Sequence, residues 1–207
     1  SAAMPQSYIK RILDARVYDV ARETPVEEAT LMSRRLDNRV WLKREDLQPV
    51  FSFKLRGAYN KMHRLTEEQR KRGVVAASAG NHAQGLAMAA QKMNVKATIV
   101  MPRTTPQIKV DAVRDRGARV VLHGDSFEEA AEQAASLVAE KGLTYVHPFD
   151  DPDVIARLDF LDDHWLVREV SLYPTAEAVY RFGTASDGSV VIEAGPVTIR
   201  DDAPVAF

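Results

Sequence analysis

Two stretches of this chain hold residue types that could do chemistry together. In Ser52-Phe53-Lys54-Leu55-Arg56-Gly57-Ala58 a lysine stands among small and apolar residues. Apolar residues then recur at spacings of three and four through Leu55, Ala58, Tyr59, Met62 and Leu65, which predicts a helix with Ser52 as its N-cap. Lys54 falls in the first turn, the unfavourable end of the helix dipole for a cation, at a cost of about 0.3–1 kcal/mol. A lysine that becomes an uncharged imine avoids part of that cost. A helix N-terminus with partial burial also favours the neutral amine that Schiff-base chemistry needs. Taken alone, the same pattern equally describes a solvated lysine in a first turn.

The second stretch is Ser78-Ala79-Gly80-Asn81-His82-Ala83-Gln84-Gly85. The apolar run Val74-Val75-Ala76-Ala77 ahead of it predicts a short buried strand. Ala83, Leu86, Ala87, Ala90 and Met93 behind it predict a helix over Asn81–Met93. The motif is then a strand-to-helix loop whose small residues let a ligand approach the backbone and whose N–H groups lie at a helix N-terminus. Such a loop can hold a carboxylate. It can also be an ordinary tight βα turn.

Together the two stretches resemble the pyridoxal-phosphate enzymes of fold type II, and within them the biosynthetic threonine deaminases (threonine ammonia-lyases). Lys43-Arg44-Glu45-Asp46, Gln48-Pro49-Val50, Ile108-Lys109-Val110-Asp111-Ala112-Val113 and His147-Pro148-Phe149-Asp150 extend the resemblance, which runs from about Ser7 to Ala156. It implies that Lys54 forms a Schiff base with pyridoxal 5'-phosphate and, once displaced, takes the substrate's α-proton. It implies that Phe53 packs near the cofactor ring and that Asn81 hydrogen-bonds the cofactor's phenolic oxygen, in competition with a role as helix N-cap. Ser78, Ala79, Gly80 and His82 would bind the carboxylate of an amino-acid substrate, largely through backbone N–H groups. The activity implied is conversion of L-threonine to 2-oxobutanoate and ammonia. The alternative is a truncated or fused lyase fragment that serves only for binding or assembly. A plain flavodoxin-like α/β module is disfavoured because both motifs are present.

The rest of the chain supplies a frame for these loops. Helices are expected over Ser7–Ala15 and Val26–Leu36, the latter starting at Thr24-Pro25, and a strand over Val40–Leu42. The turn Lys43–Asp46 reads either as a solvated charge run or as part of the resemblance. Thr66-Glu67-Glu68-Gln69 is a capping box that starts a helix ending near Gly73. Strands at Val74–Ala77, Ala97–Met101, Val120–Leu122 and Thr144–Val146 alternate with helices at Asn81–Met93, Pro106–Arg116 and Phe127–Lys141. Gly117 and Gly142 stand where helix C-caps belong. This alternation predicts an α/β fold with a parallel sheet of βαβ units, four strands between Leu65 and Val146, and ligands outside the carboxyl ends of the strands.

After Ala156 the character changes. No lysine occurs beyond Lys141, acidic residues outnumber basic ones, and short alternating runs at 165–170, 178–182, 190–192 and 197–199 are separated by Asp187-Gly188 and Gly195-Pro196. These predict a short antiparallel β tail, with Trp165 and Tyr180 in its core. The glycine-rich phosphate loop that the resemblance would call for is not identifiable there, since Gly183 and Gly188 are too dispersed to cradle a phosphate. Slow or absent turnover is the corresponding expectation. The divisions expected are 1–50 (N-terminal helices and strand), 51–156 (lysine and small α/β domain) and 157–207 (acidic β-rich tail).

Composition narrows the partners. The chain has 207 residues, 45% of them hydrophobic, enough for a real core. A formal net charge of −1 argues against nucleic acid or an acidic membrane surface, and the absence of cysteine removes disulfides and thiolate metal sites. His63, His123, His147 and His164 have no ligand spacing, so they are expected to be surface or turn residues and no metal is expected. Ser1-Ala2-Ala3 reads as a tag remnant before Met4, with neither signal peptide nor membrane span expected. A cytoplasmic protein follows as the expectation, with a homo-oligomer left open.

Overall fold

The computed structural model describes residues 11–156 and the strand backbones at 159–161, 165–167, 179–184 and 190–195. Residues 11–13 are helical, within the helix expected at Ser7–Ala15; residues 7–10 lie outside the described residues. The expected helix over Val26–Leu36 is two elements. Strand β1 (Val26–Glu28) precedes helix α1 (Thr30–Leu36), and strand β2 (Trp41–Lys43) pairs antiparallel with β1, Glu27 opposite Leu42. The reason is long-range pairing: the Ala29 N–H donates to the Val40 carbonyl (2.8 Å) and the Arg44 N–H to the Pro25 carbonyl (3.0 Å), which fixes Pro25 outside any helix. A partner strand thus overrides local helical periodicity.

Then follow helices α2 (Lys54–His63) and α3 (Glu67–Arg72), strand β3 (Val74–Ala77), helix α4 (Asn81–Met93), strand β4 (Ala97–Met101), helix α5 (Gln107–Arg114), strand β5 (Arg119–Leu122), helix α6 (Phe127–Lys141), strand β6 (Thr144–Tyr145) and the single turn α7 (Pro152–Ile155). The capping boxes Thr66/Gln69 and Ser126/Glu129 both form, each Ser or Thr oxygen accepting the amide at its third helical position. Gly142 ends α6 at φ 64°, a left-handed conformation that glycine adopts without steric cost. Helix α5 stops earlier than expected, with Asp115 as its C-cap.

The four strands form one parallel sheet in the order β5-β4-β3-β6, with Val74 beside Ala97 and beside Thr144. Strand β3 is buried along its whole length, so its side chains serve two cores. Val74 and Ala76 meet Ala58, Met62, Leu86, Ala87 and Ile99 on one face. Val75 and Ala77 meet Val100, Ala130, Ala134 and Leu137 on the other. Period-2 alternation along β3 therefore sorts α2 and α4 to one side and α6 to the opposite side. The chain runs outward from β3 through β4 to β5, then returns to place β6 on β3's other edge. That reversal opens a crevice between the carboxyl ends of β3 and β6.

Helix α2 packs against α4 and α7 through glycines. A Cβ on Gly85 would stand 2.9 Å from the Leu55 nitrogen and 3.0 Å from the Lys54 carbonyl carbon, and one on Gly57 would stand 2.5 Å from the Val154 oxygen. The buried Asn60 donates its amide to the carbonyls of Asp153 (2.7 Å) and Ala156 (2.8 Å), binding the end of this unit to the middle of α2.

Beyond residue 156, Val179–Thr184 (β9) pairs antiparallel with Val190–Gly195 (β10), as the alternation predicts, and Trp165–Val167 (β8) pairs antiparallel with Asp159–Leu161 (β7), a strand ahead of the expected runs. The expected run at 197–199 and the side chains of Trp165 and Tyr180 lie outside the described residues. No helix among the described residues is long and apolar enough to cross a membrane.

Gly85→Ala should destabilise the fold by about 1–3 kcal/mol, because the added methyl meets backbone that cannot give way. Urea denaturation of both proteins checks this; an unchanged midpoint would show that α2 and α4 are not held at this separation.

Candidate active site

Lys54 is the first residue of α2. Phe53 holds the N-cap position without a side-chain cap, one residue later than expected, and the Ser52 hydroxyl accepts the Lys54 N–H at 3.2 Å. The turn into the helix passes through Phe51, whose φ of 55° is left-handed although it is not glycine and whose side chain is exposed. Phe53 and Lys54 are half-buried. The lysine Nζ donates to the Pro148 carbonyl (3.1 Å) and stands 5.1 Å from the centroid of the Phe53 ring.

The loop Ser78–Gly80 leaves the carboxyl end of β3. Gly80, not Asn81, is the N-cap of α4, and Asn81 is the exposed first residue of that helix. The Ser78 hydroxyl accepts the N–H groups of Gly80 and Ala83, both at 3.3 Å, so the side chain caps the helix start from two residues outside it. Ala79 is half-buried, and among the described residues nothing beyond the adjoining chain comes within 4 Å of where a Cβ on Gly80 would stand. Helix α4 thus begins beside open space, with the positive end of a 13-residue dipole directed there. His82 is a core residue: it is 3% exposed, and its Nε2 lies 3.0 Å from the Val146 carbonyl. A carbonyl only accepts, so Nε2 carries the proton.

The two motifs therefore meet on one short segment. Lys54 binds the carbonyl of Pro148, His82 that of Val146, and Gly85 abuts the Lys54 backbone. His147, expected as a surface or turn residue, is half-buried between them; its Nδ1 accepts the N–H groups of Phe149 (3.3 Å) and Asp150 (2.7 Å).

Sequence reasoning left the turn Lys43–Asp46 undecided. Part of it is internal: Arg56 is 1% exposed and forms a bidentate pair with Glu45, Nε at 2.8 Å and Nη2 at 3.0 Å. Glu45 also accepts from the Thr24 hydroxyl (2.6 Å) and the Gln48 amide (3.1 Å), while Gln48 exchanges two bonds with the Arg22 backbone. Burial on its own would raise the Glu45 carboxyl, but the bonds from Arg56, Thr24 and Gln48 outweigh it and hold the group below its ordinary range. The signal was present in the sequence. Arg56 sits among Leu55, Gly57 and Ala58 on a helix that must be buried, and a buried guanidinium requires an acid.

A lysine at a helix start, an aromatic ring beneath it and an open helix N-terminus opposite make a set suited to a carbonyl-bearing anion. The profile of the family described as pyridoxal-phosphate-dependent enzymes matches residues 17–159. The chain belongs to that family. Its relatives include the biosynthetic L-threonine dehydratase IlvA of Burkholderia multivorans, 60% identical over 152 residues, and the threonine dehydratase of Nicotiana attenuata, 56% identical over 148 residues. Each alignment covers 72% of this chain, but only 30% of the Burkholderia protein and 25% of the Nicotiana protein. The processed form of threonine deaminase isoform 2 from Solanum lycopersicum superposes with a TM-score of 0.71 at 54% identity, over 75% of this chain and 43% of that one. This member of the pyridoxal-phosphate-dependent family thus spans less than half of each.

Arg56→Met should cost about 3–5 kcal/mol, because it leaves Glu45 buried without its cation. The pH dependence has a definite sign. Glu45 is depressed in the folded state, so its contribution is complete above the unfolded glutamate value of about 4.3 and is lost as pH falls through the folded one. Urea titrations across pH should show the cost of Arg56→Met shrinking as pH falls below about 4.3, because the wild type loses the Glu45 contribution there while protonation relieves the variant's unpaired carboxylate. A cost that does not change with pH would disprove the assignment.

Proposed function

We propose that this chain carries the lysine-bearing part of a pyridoxal-phosphate-dependent threonine deaminase, with Lys54 as the residue that takes the cofactor aldehyde. The observation that carries the reading is the convergence of the Lys54 amine and the start of α4 on the Val146–Pro148 segment at the β3/β6 crevice. The donor set fits the lysine end of the cofactor: an amine for the aldehyde, the half-buried Phe53 beside it for the ring, and the exposed Asn81 amide for the phenolic oxygen. When bound, the cofactor supplies an electron sink for the carbanion formed at the substrate's α-carbon.

The chain's own groups divide the remaining work. The loop of Ser78, Ala79, Gly80 and His82 binds the substrate carboxylate, aided by the α4 dipole, with the N–H donors coming from the residues after Ser78 because the Ser78 N–H is donated to the Val100 carbonyl (3.1 Å). The Ser78 hydroxyl already engages the Gly80 and Ala83 amides, so its side chain shapes this loop. The Lys54 Nζ removes the α-proton. L-Threonine then loses its β-hydroxyl and, with hydrolysis, ends as 2-oxobutanoate and ammonia. The relatives' names favour threonine over serine as substrate. The same reading makes this a cytoplasmic protein acting on a small amino acid, with neither nucleic acid nor membrane as partner. It treats 51–156 as the lysine-bearing unit, 1–50 as a segment packed on it, and 157–207 as a tail outside the site.

A second reading is a truncated or fused lyase fragment that serves only for binding or assembly: no glycine-rich phosphate loop is identifiable in 157–207, where Gly183 and Gly188 are too dispersed to cradle a phosphate. Both readings are tested on the 207-residue protein with added pyridoxal phosphate. Borohydride should fix one cofactor on Lys54, and Lys54→Ala should abolish the adduct; an adduct on another lysine would refute the assignment. Release of 2-oxobutanoate from L-threonine that disappears in Lys54→Ala supports the enzyme. An adduct with no release supports the fragment. Deleting residues 158–207 should leave the Lys54 adduct unchanged, and its loss would place part of the site in that tail.

A further inference from the structure

We propose that His147 is a positioning residue: its Nδ1 sets the peptide plane whose carbonyl holds the Lys54 amine. The importance of that amine rests on the function proposed above; the device itself does not. The Pro148 carbonyl and the Phe149 N–H belong to one peptide unit, which is trans like the others among the described residues. In a trans peptide the C=O and N–H point in opposite directions and turn together. Lys54 Nζ donates to the oxygen at one end of this plane (3.1 Å), and His147 Nδ1 accepts from the nitrogen at the other (3.3 Å). A rotation that breaks one bond breaks the other.

His147 is itself well fixed. The Asp150 N–H reaches the same Nδ1 at 2.7 Å, so the ring closes the turn much as a side-chain cap closes a helix start. An Nδ1 that accepts two N–H groups carries no proton, which puts the neutral ring's proton on Nε2. The imidazole is packed edge-on against Phe149, ring centroids 4.5 Å apart, and against Tyr145 at 5.9 Å. Pro148 has no N–H of its own and a fixed φ, which removes one competing donor and one rotation from the turn. Upstream, Val146 is anchored by its N–H to the Val75 carbonyl (2.9 Å) and by its carbonyl to His82. With this end pinned to the sheet, the plane after Pro148 is the part of the segment left to be set, and His147 sets it.

The test needs no cofactor. Limiting acetic anhydride at fixed pH, followed by mass spectrometry, reads the reactivity of Lys54 against the other lysines; hydrogen exchange reads the Phe149 and Asp150 amides. His147→Phe keeps a ring between Tyr145 and Phe149 but removes the acceptor. It should raise acetylation of Lys54 about threefold, because the Pro148 carbonyl no longer holds the ammonium, and speed exchange of the Asp150 amide by about tenfold. His147→Asn, whose amide oxygen can accept the same N–H groups, should return both readings to near the wild-type level. Unchanged Lys54 reactivity in His147→Phe overturns the proposal, as does an equal change in the Phe and Asn variants, which would show that the effect does not depend on an acceptor at this position. If His147→Phe does not fold, His147→Leu gives the same comparison with a smaller side chain. A wild type that never fixes the cofactor on Lys54 would refute the proposed function and leave these readings standing.

Discussion

The buried pair between Arg56 and Glu45 is the constraint to which the front of this molecule answers. A guanidinium that is 1% exposed must be neutralised and hydrogen-bonded where it lies. Helix α2 is packed with Glu45 paired to its arginine, and Glu45 has Thr24 and Gln48 in contact and the Arg22 backbone beside them. One charge thus ties two separate stretches of chain, 22–24 and 45–48, to the lysine helix. A hydrophobic residue at position 56 could fill the volume but would demand nothing of residues 22–48. In this sense the pair selects an arrangement more than it contributes net stability.

On the other side of α2 the ordering groups are backbone carbonyls. Strand β6 pairs with β3 through only two registered residues, Thr144 and Tyr145, yet the chain beyond it supplies Val146 O to His82 and Pro148 O to Lys54. The brevity of the strand is what frees these carbonyls, since a longer ladder would turn the segment's oxygens toward a neighbouring strand. The sheet ends where the crevice begins, and two oxygens just beyond its last pair hold the Lys54 amine and the buried His82 ring.

What the sequence disclosed followed the range of the interactions. Helices α4 and α6 are legible to the residue because their signals are local: glycine at 142 after the last turn of α6, and alanines at spacings of three and four along α4. The strands of the parallel sheet are equally plain, since Val74–Ala77 is too short and too apolar for anything but a doubly covered strand. The stretch Val26–Glu28 is misread because its partner is Trp41–Lys43, beyond an intervening helix, and no local pattern announces it. The same holds within the site. Lys54, Ser78 and Gly80 stand out by type, but the carbonyls of Val146 and Pro148 carry no mark in the sequence, and neither does the acceptor role of His147. Phe51 is a further case, a left-handed residue where glycine would be looked for.

Asn60 has a consequence for whatever polypeptide follows this unit. Its amide grips the carbonyls of Asp153 and Ala156 from the centre of α2, the helix whose first residue is Lys54. The chain therefore leaves the α/β unit from a point fixed on the lysine's own helix. A segment tethered through a short flexible linker samples its anchor at an effective concentration of about millimolar. Any segment joined after Ala156 is thereby an intramolecular neighbour of α2, at an effective concentration set by linker length and stiffness, and the buried asparagine defines where that length begins to count.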